Sequence, residues 1–351
     1  MKKLKTKIIP YTLHFKRPAG TSRGVYYDHN VWYVIVSDNS GRWGIGECAP
    51  LFDLSCDYND YYEQTLARFC KKLEIDGFLD IESLRSYPSV LFGLETAMQQ
   101  LEYGSFGMWN TPFSRGEVGI PINGLIWMGD YDFMLQQIED KMAQGFRCIK
   151  LKIGAINFDR ELQLLQYIRS HYSAEKITLR VDANGAFSVT DAMDKLKKLA
   201  ELDLHSIEQP IRAGQWTFMS ELVRVTPLPI ALDEELIGVN NPKEKKQLLE
   251  TIKPQYIILK PTLHGGISGA TEWIELASSM NIGWWVTSAL ESNIGLNAIA
   301  QWCATFNNPL PQGLGTGGLY TNNIEMPLSI KRDCLWFEPL GSYFSIDTII
   351  S

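Results

Sequence analysis

The feature that most constrains the fold is a regular alternation of short apolar runs with helical patterns after residue 119. The runs begin roughly 22–30 residues apart, which is the length of one strand, one helix and two loops. Eight such runs in succession predict an eight-stranded parallel α/β barrel, a fold of ~200–250 residues. The predicted strands cover residues 120–126, 148–153, 177–182, 206–208, 229–233, 256–260, 283–288 and 311–315.

A doubly wound parallel sheet is the main alternative to a barrel for this pattern. That fold usually has fewer strands and a glycine-rich phosphate turn after the first of them. Here the first run leads into Trp127-Met128-Gly129-Asp130, which contains no such turn. The predicted fold is therefore the barrel.

The segment before the barrel has a different pattern. Residues 31–36 and 43–48 are rich in β-branched and aromatic residues and are separated by a turn sequence, which predicts a hairpin. Helical periodicity follows over 57–75 and 89–104. We therefore predict an α+β capping domain over residues 1–115 and a barrel domain over 116–319. The tail, 320–351, loses the barrel periodicity and is predicted to return to the first domain, with one strand near 334–337.

One polar segment of the capping domain, residues 17–24, lies between two predicted strands. It combines Gly20 and Gly24 with Arg17 and Arg23, while the rest of this domain shows no site of its own. Loops of this kind exclude water when they close over an active site. We predict that residues 17–24 close over the mouth of the barrel.

Charge and cysteine usage disfavour several classes of protein. The net charge is −7, whereas a general nucleic-acid-binding surface needs a basic excess. No apolar run reaches the ~18–20 residues of a membrane span, and the lysines near the N-terminus are not followed by the apolar stretch of a signal peptide. The six cysteines are scattered, without metal-ligand spacing, which is typical of reduced thiols. We therefore predict a cytoplasmic protein without nucleic-acid or membrane partners. The sequence carries no signal of oligomeric state.

Carboxylates stand at the ends of three consecutive predicted strands. Asp182, Glu208 and Asp233 each follow apolar residues that would be buried in a strand, and the carboxyl ends of barrel strands form the catalytic face. Three oxygen ligands on neighbouring strands suit a hard divalent cation such as Mg²⁺. Each carboxylate alone could instead cap a helix or pair with a lysine, but their matching positions favour a metal site.

Lysines stand on the same predicted face. Residues 149–153 alternate strictly, so Lys150 and Lys152 point into the barrel while the apolar residues meet the helices. Two inward ammonium groups are costly without carboxylates or a metal site beside them, and each disfavours the charge of the other. A lysine whose pKa is lowered in this way can act as a general base. The alternative, a polar edge strand with solvated lysines, leaves the alternating apolar residues unexplained.

Lys260 closes the sixth run and would face Lys152 across the barrel mouth. A divalent metal flanked by lysines suits removal of a proton next to a carboxylate, because the cations stabilise the enediolate while a neutral lysine takes the proton. Three carboxylates, one dication and two charged lysines leave a site charge of about +1, which predicts a small anionic carboxylate substrate.

The order of these motifs along nearly the whole chain resembles the enolase superfamily, in its muconate-lactonizing subgroup, and most closely the o-succinylbenzoate synthases. The matching segments are Gly44-Ile45-Gly46-Glu47-Cys48-Ala49-Pro50, Lys150-Leu151-Lys152, Val181-Asp182-Ala183-Asn184-Gly185, Ile207-Glu208-Gln209-Pro210, Leu232-Asp233-Glu234, Ile258-Leu259-Lys260-Pro261 with Gly265-Gly266, and Ser288-Ala289-Leu290-Glu291-Ser292-Asn293-Ile294-Gly295.

The resemblance implies a modified (β/α)₇β barrel beneath an α+β capping domain built from both termini. It implies Mg²⁺, with Mn²⁺ as a substitute, on Asp182, Glu208 and Asp233, with Asn184 and Glu234 in the surrounding shell. It implies Lys152 as the proton-abstracting base, Lys150 beside it and Lys260 opposite. The implied substrate-binding residues are Ser288, Gly315 and Thr316.

The metal and lysine set is common to the subgroup, so other segments must indicate the reaction. Dipeptide epimerases typically carry Asp-x-Asp after the last strand, whereas residues 313–318 here contain four glycines and no acid. Glycine amides suit an anion. Residues 288–293 and 313–317 both resemble the corresponding segments of the o-succinylbenzoate synthases. That resemblance implies syn dehydration of 2-succinyl-6-hydroxy-2,4-cyclohexadiene-1-carboxylate to o-succinylbenzoate in menaquinone biosynthesis. The alternatives are an N-acylamino acid racemase, a dipeptide epimerase, a muconate cycloisomerase, a Schiff-base lysine enzyme and a binding protein without catalytic activity.

Overall fold

The computed structural model describes residues 3–21, 24–154 and 156–339. The N-terminal part begins with an antiparallel sheet in the order β1-β2-β3. Its long first hairpin pairs Lys5 with Ser37 and Thr21 with Gly24, with an irregularity between His14 and Ala19. The three strands are β1 (Lys5–Thr21), β2 (Gly24–Ser37) and β3 (Trp43–Cys48).

Three helices follow this sheet, and glycines mark the ends of the two long ones. Gly77 and Gly104 adopt left-handed φ values of 73° and 69° directly after their helices, a conformation that glycine takes without a steric penalty. Glycines also let the sheet approach the third helix, because a Cβ on Gly46 would overlap the carbonyl oxygen of Gly93. The helices are α1 (Tyr62–Asp76), α2 (Ile81–Leu84) and α3 (Pro88–Tyr103).

Seven parallel strands form the second sheet, in the order of the chain, so each strand is a neighbour of the next. The eighth position of the barrel is filled without a regular strand: Gln312 bridges to Ile122 and Gly313 bridges to Thr287, both in the parallel sense. The spacing of the runs predicted an eight-stranded parallel barrel, and the structure has it in the (β/α)₇β form that the family resemblance implies. The strands are β5 (Gly124–Ile126), β6 (Cys148–Lys152), β7 (Thr178–Asp182), β8 (Ser206–Glu208), β9 (Ile230–Leu232), β10 (Tyr256–Leu259) and β11 (Gly283–Val286).

Four of the helices that follow these strands carry a clear start signal. The side chains of Asp130, Asn157, Asn241 and Ser292 each accept a hydrogen bond from a backbone N–H in the first turn of the helix that follows. The helices are α4 (Tyr131–Ala143), α5 (Phe158–His171), α6 (Ala192–Ala200), α7 (Trp216–Val225), α8 (Pro242–Ile252), α9 (Gly266–Ser279) and α10 (Asn293–Cys303), with a 3₁₀ turn at Glu234–Leu236.

Two details of the predicted organisation are wrong. The run over 120–126 is not one strand: β4 (Ile120–Pro121) leaves the barrel and pairs with β13 (Cys334–Phe337), itself a hairpin with β12 (Leu328–Lys331). The strand near 334–337 therefore exists but joins β4 instead of the N-terminal sheet. The chain contacts the N-terminal sheet earlier, at residues 319 and 320. There the Lys16 N–H donates to the Leu319 carbonyl, and Phe15 forms a β-bridge with Tyr320.

The N-terminal part and the barrel share one apolar core. Leu13, Val31, Tyr33 and Ile45 of the first sheet are buried in the same cluster as the inner faces of the barrel helices. Burial of apolar surface contributes about 25 cal/mol per Å², so a shared core fixes the position of one part against the other. The N-terminal part therefore offers fixed side chains at the mouth of the barrel.

Candidate active site

The strand ends bring the predicted carboxylates and lysines together. In the parallel register Lys152 lies beside Asp182, and Asp182 lies beside Glu208. Asp233 follows the end of the next strand, β9, and Lys260 follows the end of β10. Five neighbouring strands thus place these groups at one edge of the sheet, as their positions in the sequence predict.

Each lysine of this group contacts a carboxylate. The Nζ of Lys150 lies 2.7 Å from Glu208 Oε2 and 3.1 Å from Asp182 Oδ2. The Nζ of Lys152 lies 3.2 Å from Asp182 Oδ2 and donates to Asn184 Oδ1 at 2.8 Å. The Nζ of Lys260 donates to Asp233 Oδ2. The ammonium groups and carboxylates therefore compensate one another in a region where an unpaired charge is costly.

Burial and these ion pairs act in opposite directions on the pKa values. Burial by itself would raise the pKa of Asp182. The neighbouring Lys150 and Lys152 lower this pKa by more than burial raises it, so it lies below its usual range. Burial lowers the pKa of Lys150, but Asp182 and Glu208 outweigh it and raise the pKa. The pKa of Glu208 is well above its usual range because of burial and the neighbouring Asp182 carboxylate. Glu208 is thus the member of the group that most needs a further cation to ionise.

Two carboxylate oxygens of the group fit a metal ion. Glu208 Oε1 and Asp233 Oδ1 are buried and have no hydrogen-bond partner, and a buried polar atom without a partner is unusual in a folded protein. Within the described ranges, no three acidic, histidine or cysteine side chains stand in an arrangement that would hold a metal ion unchanged. The lysines bond instead to one oxygen of each carboxylate, Asp182 Oδ2, Glu208 Oε2 and Asp233 Oδ2. The all-oxygen donor set and the two unpartnered oxygens suit a hard divalent cation.

The two residues predicted around the metal ligands, Asn184 and Glu234, bond to each other. Asn184 Nδ2 donates to Glu234 Oε1 at 3.0 Å, and the Asn184 N–H donates to Asp182 Oδ1 at 3.1 Å. Asn184 also accepts from Lys152, so it orients both a carboxylate and a lysine. Its φ of 43° lies in the left-handed region, which asparagine tolerates better than most residues.

Gln209 is a site residue to which the sequence interpretation gave no role. Its Oε1 accepts from the backbone N–H groups of Asp233, at 3.2 Å, and Glu235, at 3.3 Å. Its Nε2 donates to Glu235 Oε2 at 3.0 Å. Gln209 thus fixes the backbone at the end of β9, and its place in the Ile207-Glu208-Gln209-Pro210 motif was the available signal.

A cavity of roughly 820 Å³, including its open mouth, lies above this group. The predicted substrate-binding residues line it, and the hydroxyls of Ser288 and Thr316 are 2.7 Å apart. Gly315 also lines it, and a Cβ added there would come no closer than 3.4 Å to its neighbours.

The N-terminal part contributes a side of this cavity that sequence reasoning missed. Tyr26, Leu51 and Leu54 line it together with Leu263, Ala289 and Leu290 of the barrel. Trp127 and Trp285 also face it, and the Lys152 Nζ is 6.0 Å from the centre of the Trp127 ring. Asn123, buried with its Oδ1 unpartnered, is a further lining residue. No local motif marks Tyr26, Leu51 or Leu54, because their place at the cavity depends on how the two parts pack.

Residues 17–24 are the predicted lid, and part of this segment lies outside the described residues. The described part is not a loop, because Arg17 to Thr21 extends β1 and Gly24 begins β2. Arg17 lies over the ring of Phe133, 5.6 Å from its centre, at the start of the first barrel helix. The Tyr26 hydroxyl donates to Asp53. The described part of the hairpin therefore contacts the barrel at the start of α4, through Arg17.

Comparisons with known proteins agree with this architecture. Residues 134–335 match the family model described as "Enolase C-terminal domain-like". The o-succinylbenzoate synthase of Desulfotalea psychrophila is 46% identical, over 92% of this chain and 96% of that protein.

This chain belongs to the enolase superfamily.

Solved structures of the superfamily match both parts of the chain. The crystal structure of MenC from Desulfotalea psychrophila has a TM-score of 0.82 and 41% identity, covering 95% of this chain and 99% of that one. The dipeptide epimerase of Enterococcus faecalis, complexed with Mg and L-Leu-L-Tyr, has a TM-score of 0.83 at 18% identity, over 96% and 98% of the two chains. At 18% identity the second match indicates the fold alone.

No helix in the described ranges is long and apolar enough to cross a membrane.

Proposed function

We propose that this chain is an o-succinylbenzoate synthase. It catalyses the syn dehydration of 2-succinyl-6-hydroxy-2,4-cyclohexadiene-1-carboxylate to o-succinylbenzoate, a carbon–oxygen lyase reaction. The observation that carries the proposal is the 46% identity to an o-succinylbenzoate synthase over 92% of the chain. The lysine–carboxylate group at the strand ends supplies chemistry that fits this reaction.

Asp182, Glu208 and Asp233 would hold Mg²⁺, for which Mn²⁺ is a substitute. The support for this ligand set is the pair of buried, unpartnered oxygens on Glu208 and Asp233, and the position of Asp182 beside Glu208 in the strand register. The bound ion would stabilise the negative charge that develops on the substrate carboxylate when the neighbouring carbon loses its proton.

Lys152 is the proposed base. Its side chain is 12% exposed, and it lines the cavity from the end of β6. As a neutral amine it takes the proton from the carbon next to the ring carboxylate. The C–H electron pair becomes part of the new ring double bond, and the C–O bond to the hydroxyl breaks. Because the hydroxyl leaves from the same face, the Lys152 ammonium donates its proton to that oxygen, and water is released.

Lys260 is proposed to stay charged and act electrostatically. Its ammonium is paired with Asp233 on the far side of the group, four strands along the sheet from β6. A fixed cation there favours the negative charge that builds up in the transition state. Lys150, which bridges Asp182 and Glu208, keeps the two carboxylates in place beside Lys152.

The substrate carries apolar and anionic parts, and the cavity offers a surface for each. Leu51, Leu54 and Leu263 form an apolar side that suits the ring and the methylene groups of the succinyl chain. Ser288, Gly315 and Thr316 offer hydroxyl and backbone N–H groups, which suit a carboxylate. None of the described lining residues between 313 and 316 is acidic, so this side does not suit a substrate ammonium group.

Racemisation of N-acylamino acids is the second candidate activity. It is favoured by the two lysines, Lys152 and Lys260, at separate edges of the carboxylate group, because a racemase needs an acid and a base on opposite faces of the carbanion.

A cytoplasmic location is proposed from the scattered cysteines, all six of which are free thiols.

The test is an assay of the purified chain with the cyclohexadiene substrate, with Mg²⁺ and with EDTA. We expect o-succinylbenzoate to form with Mg²⁺ and to stop forming with EDTA. Dipeptides and N-succinylamino acids are assayed in parallel by loss of α-deuterium or by polarimetry. A kcat/KM for a dipeptide or an N-succinylamino acid above that for dehydration would contradict the proposed function.

A further inference from the structure

A carboxylate from the N-terminal part holds one loop of the active site. Glu47, near the end of β3, is fully buried and accepts three hydrogen bonds, all from the barrel. Its Oε1 accepts from the Ser292 N–H at 2.8 Å, and its Oε2 accepts from the Ser292 hydroxyl at 2.5 Å and the Gly295 N–H at 2.8 Å. Ser292 is the N-cap of α10, so Glu47 binds the first turn of that helix.

The glycines around this contact allow the close approach. A Cβ on Gly295 would lie 2.9 Å from Glu47 Oε2 and 2.7 Å from the Cβ of Glu291. On the other side, Gly44 and Gly46 let β3 lie directly on the backbone of α3. The position of Glu47 is thus fixed from both sides by backbone, which leaves its carboxylate little freedom to move.

The loop that Glu47 holds, residues 288–292, has a strained conformation. Leu290 has a φ of 68°, a left-handed conformation that brings the Cβ of a non-glycine residue too close to the following carbonyl oxygen. Its carbonyl oxygen accepts from the Tyr320 hydroxyl at 2.5 Å and lies 3.0 Å from His29 Nδ1. A strained backbone conformation persists only where neighbouring groups hold it. Here the neighbouring groups, Tyr320 and His29, lie outside the barrel strands.

The same loop is bonded within the barrel as well. Glu291 is fully buried, its Oε2 accepts from the Ala289 N–H at 2.7 Å, and its Oε1 accepts from the Thr262 hydroxyl. Thr262 follows Lys260 by two residues, so this bond joins the loops after β10 and β11. Contacts of residues 289–292 therefore lead to both the N-terminal part and the Lys260 segment.

This loop forms one side of the cavity. Ser288, Ala289 and Leu290 all line it, and Ala289 packs with Leu51 and Leu263 in one apolar cluster. A change of the φ angle at Leu290 would move the Leu290 side chain and the adjoining Ser288 hydroxyl. A misplacement of about 1 Å in a binding group far from the reacting atoms can cost ~100-fold in rate.

We propose that Glu47 is a positioning residue: by binding Ser292 and Gly295 it keeps loop 288–292 in the strained conformation that places Ser288 and Leu290 against the substrate. This inference rests on the proposed function only for the choice of substrate. In this way the N-terminal part shapes the substrate-binding side of the cavity indirectly, by holding a loop of the barrel.

The test is Glu47→Gln, which keeps the size of the side chain but replaces one acceptor oxygen by an NH₂ group facing backbone or hydroxyl donors. We expect KM to rise roughly tenfold or more, equivalent to about 1.4 kcal/mol of lost substrate binding, while kcat changes less and the Mg²⁺ concentration for half-maximal activity stays unchanged. Hydrogen exchange at residues 289–295 should accelerate.

The matched control is Glu95→Gln. Glu95 is also a buried carboxylate of the N-terminal part that binds the start of a barrel helix, through the N–H groups of Ile267 and Ser268, but it does not contact loop 288–292. The Glu95→Gln substitution should lower the free energy of unfolding and leave KM unchanged. If Glu47→Gln fails to fold, Tyr320→Phe removes one donor to Leu290 and keeps the ring, and it should raise KM by a smaller factor.

The proposal is overturned if Glu47→Gln folds and keeps the wild-type KM, or if Glu95→Gln raises KM as much as Glu47→Gln does. In the second case the effect would belong to domain docking in general. A wild-type chain that does not dehydrate the cyclohexadiene overturns the proposed function alone, because the same variants can then be compared with the substrate that is turned over.

Discussion

Lys152 and Lys260 have different surroundings although both are lysines at strand ends. Lys152 bonds to Asn184 and to Asp182, while Lys260 bonds to Asp233. A syn elimination needs one base, since the proton and the hydroxyl leave from one face. The proposed division of roles is therefore a statement about individual side chains, and single substitutions test it.

Lys152→Ala should abolish both dehydration and exchange of the substrate α-hydrogen with solvent, a loss of roughly 10²–10⁴-fold or more for a general base. Lys260→Arg keeps the charge but does not release a proton at accessible pH. It should retain measurable dehydration and lose any racemase activity. The measurements are turnover and deuterium incorporation. Activity in Lys152→Ala together with a wild-type rate in Lys260→Arg would contradict both roles.

Asp233→Asn should lower Mg²⁺ affinity and activity together, because the buried Asp233 Oδ1 is one of the oxygens proposed for the metal. The measurement is activity as a function of Mg²⁺ concentration, with calorimetry for the affinity. Asp194→Asn is the control, since Asp194 is exposed on α6. Full activity of Asp233→Asn with an unchanged Mg²⁺ dependence would remove Asp233 from the ligand set.

Among the elements, the β1–β2 hairpin is the one that we predict to control access to the site. Its Arg17 lies over Phe133 of α4, and its Tyr26 bonds to Asp53 in the loop after β3. Tyr26 also lines the cavity. The lid over residues 17–24 stays a prediction, and we propose that the segment around Leu51 to Leu54, which the sequence interpretation did not include, acts together with it.

Tyr26→Phe tests this element. It removes the hydroxyl that bonds to Asp53 and keeps the ring, so the two components should separate more often. We expect a higher KM and faster hydrogen exchange over residues 24–30 and 51–54. Tyr27→Phe is the matched control, because the adjacent Tyr27 is 66% exposed. A ligand complex in which the hairpin end lies far from the metal ligands would contradict the lid.

At the scale of the whole molecule, buried carboxylates join the two parts. Burial raises the pKa of Glu47 to about 7 and that of Glu95 to about 7, against the bonds from Ser292 and Ser268 that lower them. The nearby Glu272 raises the pKa of Glu95 further. Both groups therefore hold a proton in the folded chain at a pH where the unfolded chain has lost it.

This predicts a pH-dependent stability with a definite sign. Between pH ~4.5 and ~7 unfolding releases the proton of Glu95, so the free energy of unfolding falls as pH rises, by roughly 3 kcal/mol for a shift of this size. Glu95→Gln should flatten this decline. Urea unfolding at pH 5 and pH 8 measures it, with exposed Glu102→Gln on the same helix as the control. Equal pH slopes for wild type and Glu95→Gln would contradict the prediction.

The sequence alone determined the barrel and the strand-end residues, and the physical reason is periodicity. Each strand and helix repeats the same local pattern, and the ends of parallel strands meet at one face, so Lys152, Asp182, Glu208, Asp233 and Lys260 are predicted together from their positions alone. Their lysine–carboxylate pairing follows, because inward ammonium groups require buried anions nearby.

The residues that surround that group follow instead from tertiary packing. Tyr26 and Leu51 reach the cavity because a shared apolar core sets the N-terminal part on the barrel. The split of 120–126 into β4 and β5 depends on β13, more than 200 residues later in the chain. Glu47 and Leu290 carry no local signal of their contact, since its partners are fixed by packing between distant segments. The local sequence pattern therefore specifies the strands and helices and the residues at the strand ends. The packing of distant segments specifies the other residues of the site.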